Sequence, residues 1–219
     1  MNEYEILGEV CNLHELRAKL GQSEDDWTVT INSPGGSVFE GLQTVNAIRK
    51  AKGKVTAKIE VMAASIAAVI ALACDKVTMR KSDLLMLHNC WTVAVGNKEE
   101  LAQEIENMKA IDKVLHGIIA EHCKKPDELL ASIDEGDVFL TGEDVAELFD
   151  NVELVAAPAK DGKQNCVDLA SLIAGKREAL DKCTALDKKV AELQEEVAAA
   201  KKPPYVVTAK VEKILAEEW

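Results

Sequence analysis

Three short segments of this 219-residue chain carry chemistry that stands out from the rest. Asn32-Ser33-Pro34 runs into the adjacent pair Gly35-Gly36, and two glycines in succession let backbone N–H groups approach a ligand with no Cβ in the way. Taken alone, the segment reads equally as an ordinary strand-to-helix turn. Ser65 is the one polar side chain in the apolar run from 61 to 74. A hydroxyl inside an apolar helix usually bonds the carbonyl one turn back, whereas at the start of the helix it stands beside N–H dipoles suited to an oxyanion. His88 follows Leu84-Leu85-Met86-Leu87, where a strand hands the chain to a loop. A histidine there can face a cleft and act as a base, although a structural, hydrogen-bonded histidine is the commoner case. His14, His116 and His122 fall on helical stretches and lack such a setting.

The elements that must position these residues follow from periodicity. Residues 4–10 read as a short strand and 13–20 as a short helix, and residues 27–31 alternate Val and Ile with Thr as a strand does. After the Pro-Gly-Gly turn, Ser37 and Glu40 fit a capping box, opening a helix with Val38, Leu42, Val45 and Ile48 on one face. A strand over 55–61 precedes an apolar helix that takes in Ala63, Ala64 and Ser65, and Val77 and Met79 mark another strand. Strands alternating with helices predict an α/β fold. Residues 98 to about 123 form a long helical pattern with Leu101, Ile105, Met108, Ile111, Leu115 and Ile118 on one side. At roughly 1.5 Å per residue it is long enough to project from a compact domain. A helix over 127–132 and a helix capped at Thr141 and ending near Phe149 complete a core that closes at Val155.

Beyond residue 155 the composition changes. Residues 156–166 are linker-like, and 167–219 read as a helical extension with an imperfect heptad seam, since Lys176 and Ala179 occupy core positions between Leu169, Leu172, Leu186 and Leu193. Charge is also uneven: residues 1–150 hold 15 basic and 26 acidic side chains, residues 151–219 hold 11 and 12. A net charge of −12 without Lys/Arg clusters speaks against nucleic acid as a partner. The longest apolar stretch is 14 residues, short of the roughly 20 needed to span a bilayer. The first residues lack a basic segment of the kind that opens an export signal. Six cysteines, at 11, 74, 90, 123, 166 and 183, form no CxxC pair and no zinc-like cluster with histidine. The expectation is therefore a cytoplasmic protein with no membrane partner, no metal and no cofactor.

Taken together, the segments resemble the Clp protease proteolytic subunit family, and within it the Clp-like head maturation proteases of tailed phages and prophages. The resemblance covers residues 3–155: Ile31 to Val38 match the family's glycine motif, Ala63-Ala64-Ser65 its nucleophile motif, and Met86-Leu87-His88-Asn89 its histidine motif. It implies a crotonase-like spiral of ββα units with a projecting handle helix, here followed by the C-terminal helical extension. It further implies a serine endopeptidase in which Ser65 is nucleophile, His88 general base and then acid, and Asp137 the carboxylate that orients His88. The backbone N–H groups of Gly36 and Ile66 would form the oxyanion hole.

The implied assembly is a ring of copies of this chain, with rings pairing through the long helix. The implied task is cleavage of capsid or scaffold proteins during prohead maturation. Two features depart from the family. Val61 stands where glycine is usual, four residues before the nucleophile. The chain also begins almost at its first strand, whereas cellular Clp subunits carry an N-terminal segment that forms axial loops, so partnership with an AAA+ unfoldase is not expected. The other readings are a general peptide-degrading subunit that works with an unfoldase, a catalytically weak assembly protein, and a crotonase-type acyl-CoA enzyme, whose chemistry needs no serine nucleophile.

Overall fold

The computed structural model describes residues 2–156; the expected extension over 167–219, and all but the first residue of the expected linker, lie outside them. Along the chain come β1 (Asn2–Leu7), α1 (His14–Gln22), β2 (Trp27–Ser33), α2 (Val38–Lys50), β3 (Val55–Ala64), α3 (Ile66–Leu72), β4 (Lys76–Met79), β5 (Leu84–Leu87), α4 (Lys98–Ala120), α5 (Pro126–Glu135), β6 (Val138–Thr141), α6 (Gly142–Leu148) and β7 (Val152–Leu154). The fold is mixed α/β, as strands alternating with helices require.

Parallel pairing runs through the order β1-β2-β3-β4-β7. β5 joins the far end of β3 in parallel, and β6 pairs β5 antiparallel. Parallel strands covered on both sides read as apolar runs, which describes β5, three of whose four residues are buried. α3 is buried at all seven positions; a helix apolar all round belongs in the centre of a core. It packs there with Ile31, Ile59, Met79, Leu85 and Leu87.

β3 governs the site because it changes partners. Its first part, Thr56 to Lys58, pairs with β4, and its last part, Met62 to Ala64, pairs with β5. Against β2 the register slips at the same place: Ile31 faces Ile59, but Ser33 faces Ala63. Two residues of β2 thus span four of β3, an irregularity of the bulge kind that bends a strand. Val61 lies inside it with φ of 73°.

Several expectations are corrected. Ala63 and Ala64 belong to strand β3, not to the following helix, because Leu85 and Met86 supply a ladder that outweighs alanine's helix preference. The capping box at Ser37 is half made. Ser37 Oγ accepts the Glu40 N–H, but the Glu40 carboxylate turns away to Leu13 N–H and Arg17. β6 and β7 are strands where the pattern showed only segments flanking a helix. The long helix ends at Ala120, and of its stripe the C-terminal end is covered: Leu115 and Ile118 are buried, while Leu101 and Ile105 are exposed at 39% and 55%.

Candidate active site

At the end of β3 the chain turns from strand to helix within one residue. Ser65 takes φ 56° and ψ −130°, a conformation rarely adopted outside glycine. It is held on both sides. Its N–H donates to the Met86 carbonyl at 2.8 Å, continuing the β3–β5 ladder, and its own carbonyl accepts from Ala68 and Val69, starting α3. A sharp strand-to-helix turn of this kind thrusts the hydroxyl out of the sheet. The hydroxyl does not bond back into its helix; Ser65 Oγ lies 2.7 Å from His88 Nε2.

His88 is placed by β5, being the residue after Leu87, and its side chain is 18% exposed. The antiparallel register pairs Leu87 with Val138, so the next residues outward, His88 and Asp137, face one another. His88 Nδ1 lies 3.7 Å from Asp137 Oδ1, an ion-pair distance longer than a hydrogen bond, and the Asp137 side chain is 60% exposed. Catalytic hydrogen bonds are often long in the absence of substrate. The other nearby carboxylate, Asp134, accepts instead from Asn89 Nδ2 at 3.0 Å.

The glycine pair closes the site from the β2 side. Ser33, fully buried at the end of β2, accepts the Gly35 N–H with its hydroxyl, which tightens the turn. Gly35 has φ of 100°, and a Cβ there would lie 2.6 Å from Ser65 Cβ and 2.8 Å from the Ala64 carbonyl oxygen. Only a bare backbone fits against the serine. Gly36 forms a parallel bridge to Val10, using the Gly35 carbonyl and the Ser37 N–H. Neighbouring peptide groups of an extended chain point to opposite sides, so the Gly36 N–H faces away from Val10. Ile66 N–H belongs to the first turn of α3, where N–H groups have no carbonyl partner within the helix. Gly41 of α2 sits so close to this turn that a Cβ would meet Ile66 Cγ1 at 2.0 Å.

All five residues singled out in sequence (Gly36, Ser65, Ile66, His88 and Asp137) therefore lie on segments that meet at one end of the sheet. Among the described residues, no group of three or more His, Cys, Asp or Glu could hold a metal ion, and no helix is long and apolar enough to cross a membrane.

Sequence reasoning passed over Ser33, Gly41 and the support of the loop after His88. His116 Nε2 lies 2.8 Å from Asn89 Oδ1, and one turn earlier on α4 Asp112 accepts the Cys90 N–H at 2.7 Å. A polar pair four residues apart beside Ile111 and Leu115 was the available signal, since such a pair shares a helix face. The thiol of Cys90 is pushed up to about 12 by burial and by Asp112 beside it.

Comparison with known proteins matches residues 10–152 to the family described as Clp protease. The ATP-dependent Clp protease proteolytic subunit of Bacteroides thetaiotaomicron is 27% identical over 124 residues, which cover 56% of this chain and 56% of that protein. The subunit of the same description from Ligilactobacillus salivarius is 30% identical over 128 residues, 57% of this chain and 64% of that protein. The chain thus spans between 56% and 64% of the length of these curated relatives.

Proposed function

The chain belongs to the Clp protease family, and from that premise we propose that it is a serine endopeptidase whose triad is Ser65, His88 and Asp137. The observation that carries the reading is the 2.7 Å contact between Ser65 Oγ and His88 Nε2 at a strained strand-to-helix turn. In the proposed reaction Ser65 Oγ attacks the carbonyl carbon of the scissile peptide while His88 Nε2 takes its proton. Negative charge gathers on the carbonyl oxygen, and the N–H groups of Gly36 and Ile66 receive it. The imidazolium, held by Asp137 through Nδ1–H, then gives its proton to the leaving amine as the C–N bond breaks. Water repeats the sequence on the acyl-enzyme and releases Ser65. Only the neutral imidazole can accept the first proton.

The peptidase core spans 1–155 as a spiral of ββα units, α4 is a handle, and the segments at 156–166 and 167–219 are a linker and a helical extension, the latter acting in partner binding or inter-subunit contacts. Copies of the chain form a ring through the core and rings pair through α4, a pairing supported by the exposed apolar residues Leu101 and Ile105 on that helix. The protein works in the cytoplasm, and its substrates are capsid or scaffold proteins of a prohead. A second reading, general peptide degradation with an AAA+ unfoldase, draws support from the description of both curated relatives as ATP-dependent proteolytic subunits.

A fluorophosphonate probe followed by peptide mapping tests the core claim. Labelling at Ser65, with hydrolysis lost by roughly 10⁶-fold in Ser65→Ala and assembly retained, is the expected result. Hydrolysis within about tenfold of wild type in Ser65→Ala overturns the assignment. Incubation with capsid and scaffold proteins, set against an unfolded protein supplied with an unfoldase and ATP, separates the two readings of substrate.

A further inference from the structure

Four residues before Ser65 the backbone holds a second strained position. Val61 and Ser65 are the two non-glycine residues with positive φ among the described residues. For a β-branched side chain such a conformation is a true outlier, and it persists only where the surroundings over-determine it. Its position coincides with the point where β3 leaves β4 for β5 and its register against β2 slips.

What holds Val61 there is a side chain. The Val61 N–H donates to Asp83 Oδ1 at 3.1 Å. Asp83 is 1% exposed and immediately precedes β5. The same carboxylate accepts from the Arg80 N–H at 2.8 Å, from Arg80 Nε–H at 3.0 Å and from Nη2–H at 2.8 Å, and the Asp83 N–H returns a bond to the Arg80 carbonyl. A fork of guanidinium donors fixes a carboxylate in direction as well as place. The carboxylate thus bridges the β4–β5 turn and the bulge of β3.

We infer that Asp83 is a positioning residue for Ser65: locked by Arg80, it clamps Val61 in its left-handed conformation and so sets the line along which Met62, Ala63 and Ala64 deliver the serine to His88. The inference rests on the reading of Ser65 as nucleophile. It has a specific consequence, because glycine adopts positive φ without steric cost. With glycine at 61 the clamp becomes dispensable.

The test is a set of full-length variants: Asp83→Asn, Val61→Gly and the double variant. Arg80→Lys serves as a milder loosening of the clamp should Asp83→Asn fail to fold. Each is assayed for hydrolysis of a small peptide ester and for amide hydrogen exchange over residues 61–66. A displaced serine costs on the order of 10- to 100-fold in kcat, so Asp83→Asn should show that loss with KM within about threefold and with faster exchange. The double variant should return both quantities to near those of Val61→Gly alone. A merely structural Asp83 predicts instead a loss that glycine at 61 leaves untouched, since the Arg80–Asp83 ion pair stays broken. A folded Asp83→Asn with wild-type kcat, or a loss that Val61→Gly does not restore, overturns the inference. Failure of the peptidase reading looks different: the wild-type chain would not be labelled at Ser65 by a fluorophosphonate, and amide exchange would then decide the clamp by itself.

Discussion

Replacing Gly35 with alanine should disable the site by direct contact, and the structure sets the scale. The new Cβ would stand 2.6 Å from Ser65 Cβ, where ordinary contact begins at 3.4 Å, so the loop or the serine must shift by about 0.8 Å. The second close atom, the Ala64 carbonyl oxygen at 2.8 Å, belongs to the backbone of β3, so no side-chain rotation relieves it. Misplacement by about 1 Å can cost roughly 10²-fold in rate. Backbone strain at φ of 100° adds roughly 1–3 kcal/mol, and overpacking a similar amount. Loss of chain entropy in the unfolded state returns about 0.4–1 kcal/mol. The expected result is a fall in kcat/KM of about 10²-fold with a loss of roughly 2–4 kcal/mol, or about 5–15 °C in Tm for a domain of this size. Kinetics on a peptide ester and thermal melting read the two effects separately. Gly8→Ala is the control: its φ of 78° is also left-handed, but a Cβ there meets nothing within 4 Å. It should cost about 1–2 kcal/mol and leave kcat/KM within about threefold. Unchanged activity in Gly35→Ala, or equal inactivation by Gly8→Ala, would refute the contact argument.

Asp137→Asn should lower kcat by roughly 10²–10⁴, the upper figure being that of a buried triad carboxylate, while Asp134→Asn, which loses only its bond to Asn89, should stay within about tenfold; the reverse order would identify Asp134 as the orienting group. Arg17 and the Leu13 N–H hold the Glu40 carboxyl below the usual glutamate range. Its contribution to stability is therefore complete above the unfolded value near pH 4.3 and fades as pH falls through the lowered folded value, so the stability gap between wild type and Glu40→Gln, read by urea unfolding, should be constant above about pH 5 and close in acid. A gap unchanged down to roughly pH 2.5 would remove this role. With its thiol pushed up to about 12, half-buried Cys90 is a poor nucleophile near neutral pH, so iodoacetamide mapped by mass spectrometry should reach exposed Cys11 before Cys90, and alkylation of Cys90 as fast as that of Cys11 would contradict the raised thiol.

The residues that stand out in sequence do so because chemistry and local geometry coincide at them. Pro34-Gly35-Gly36 is legible as a turn from composition, and Thr141 with Asp144 is legible as a cap, which the structure completes in both directions. The losses come where the deciding partner is distant in sequence. Ala63 and Ala64 look helical because the run from 61 to 74 has no period, and only β5, some twenty residues on, makes them strand. β6 and β7, at four and three residues, are too short to show alternation. Glu40 fits a capping box until Arg17 competes for its carboxylate, and His116 is an ordinary helical residue until the loop after His88 folds against it.

The same distinction explains the placement of the site. β2, β3 and β5 run parallel, so their C-terminal ends share one edge of the sheet, and in open α/β sheets that edge, where the strand order changes, is where ligands gather. β3 is the strand at which the order changes, since it serves β4 with one half and β5 with the other. Its last four residues are bounded by the strained Val61 at one end and lead into the strained Ser65 at the other. Between them Met62, Ala63 and Ala64 are buried, so the segment has little room to relax sideways. Strain at two points on a clamped, buried segment is a way to fix one side chain in a direction that unstrained backbone would not give. It also assigns separate tasks to the two: Ser65 turns its hydroxyl toward His88, and Val61 aims the segment that carries it.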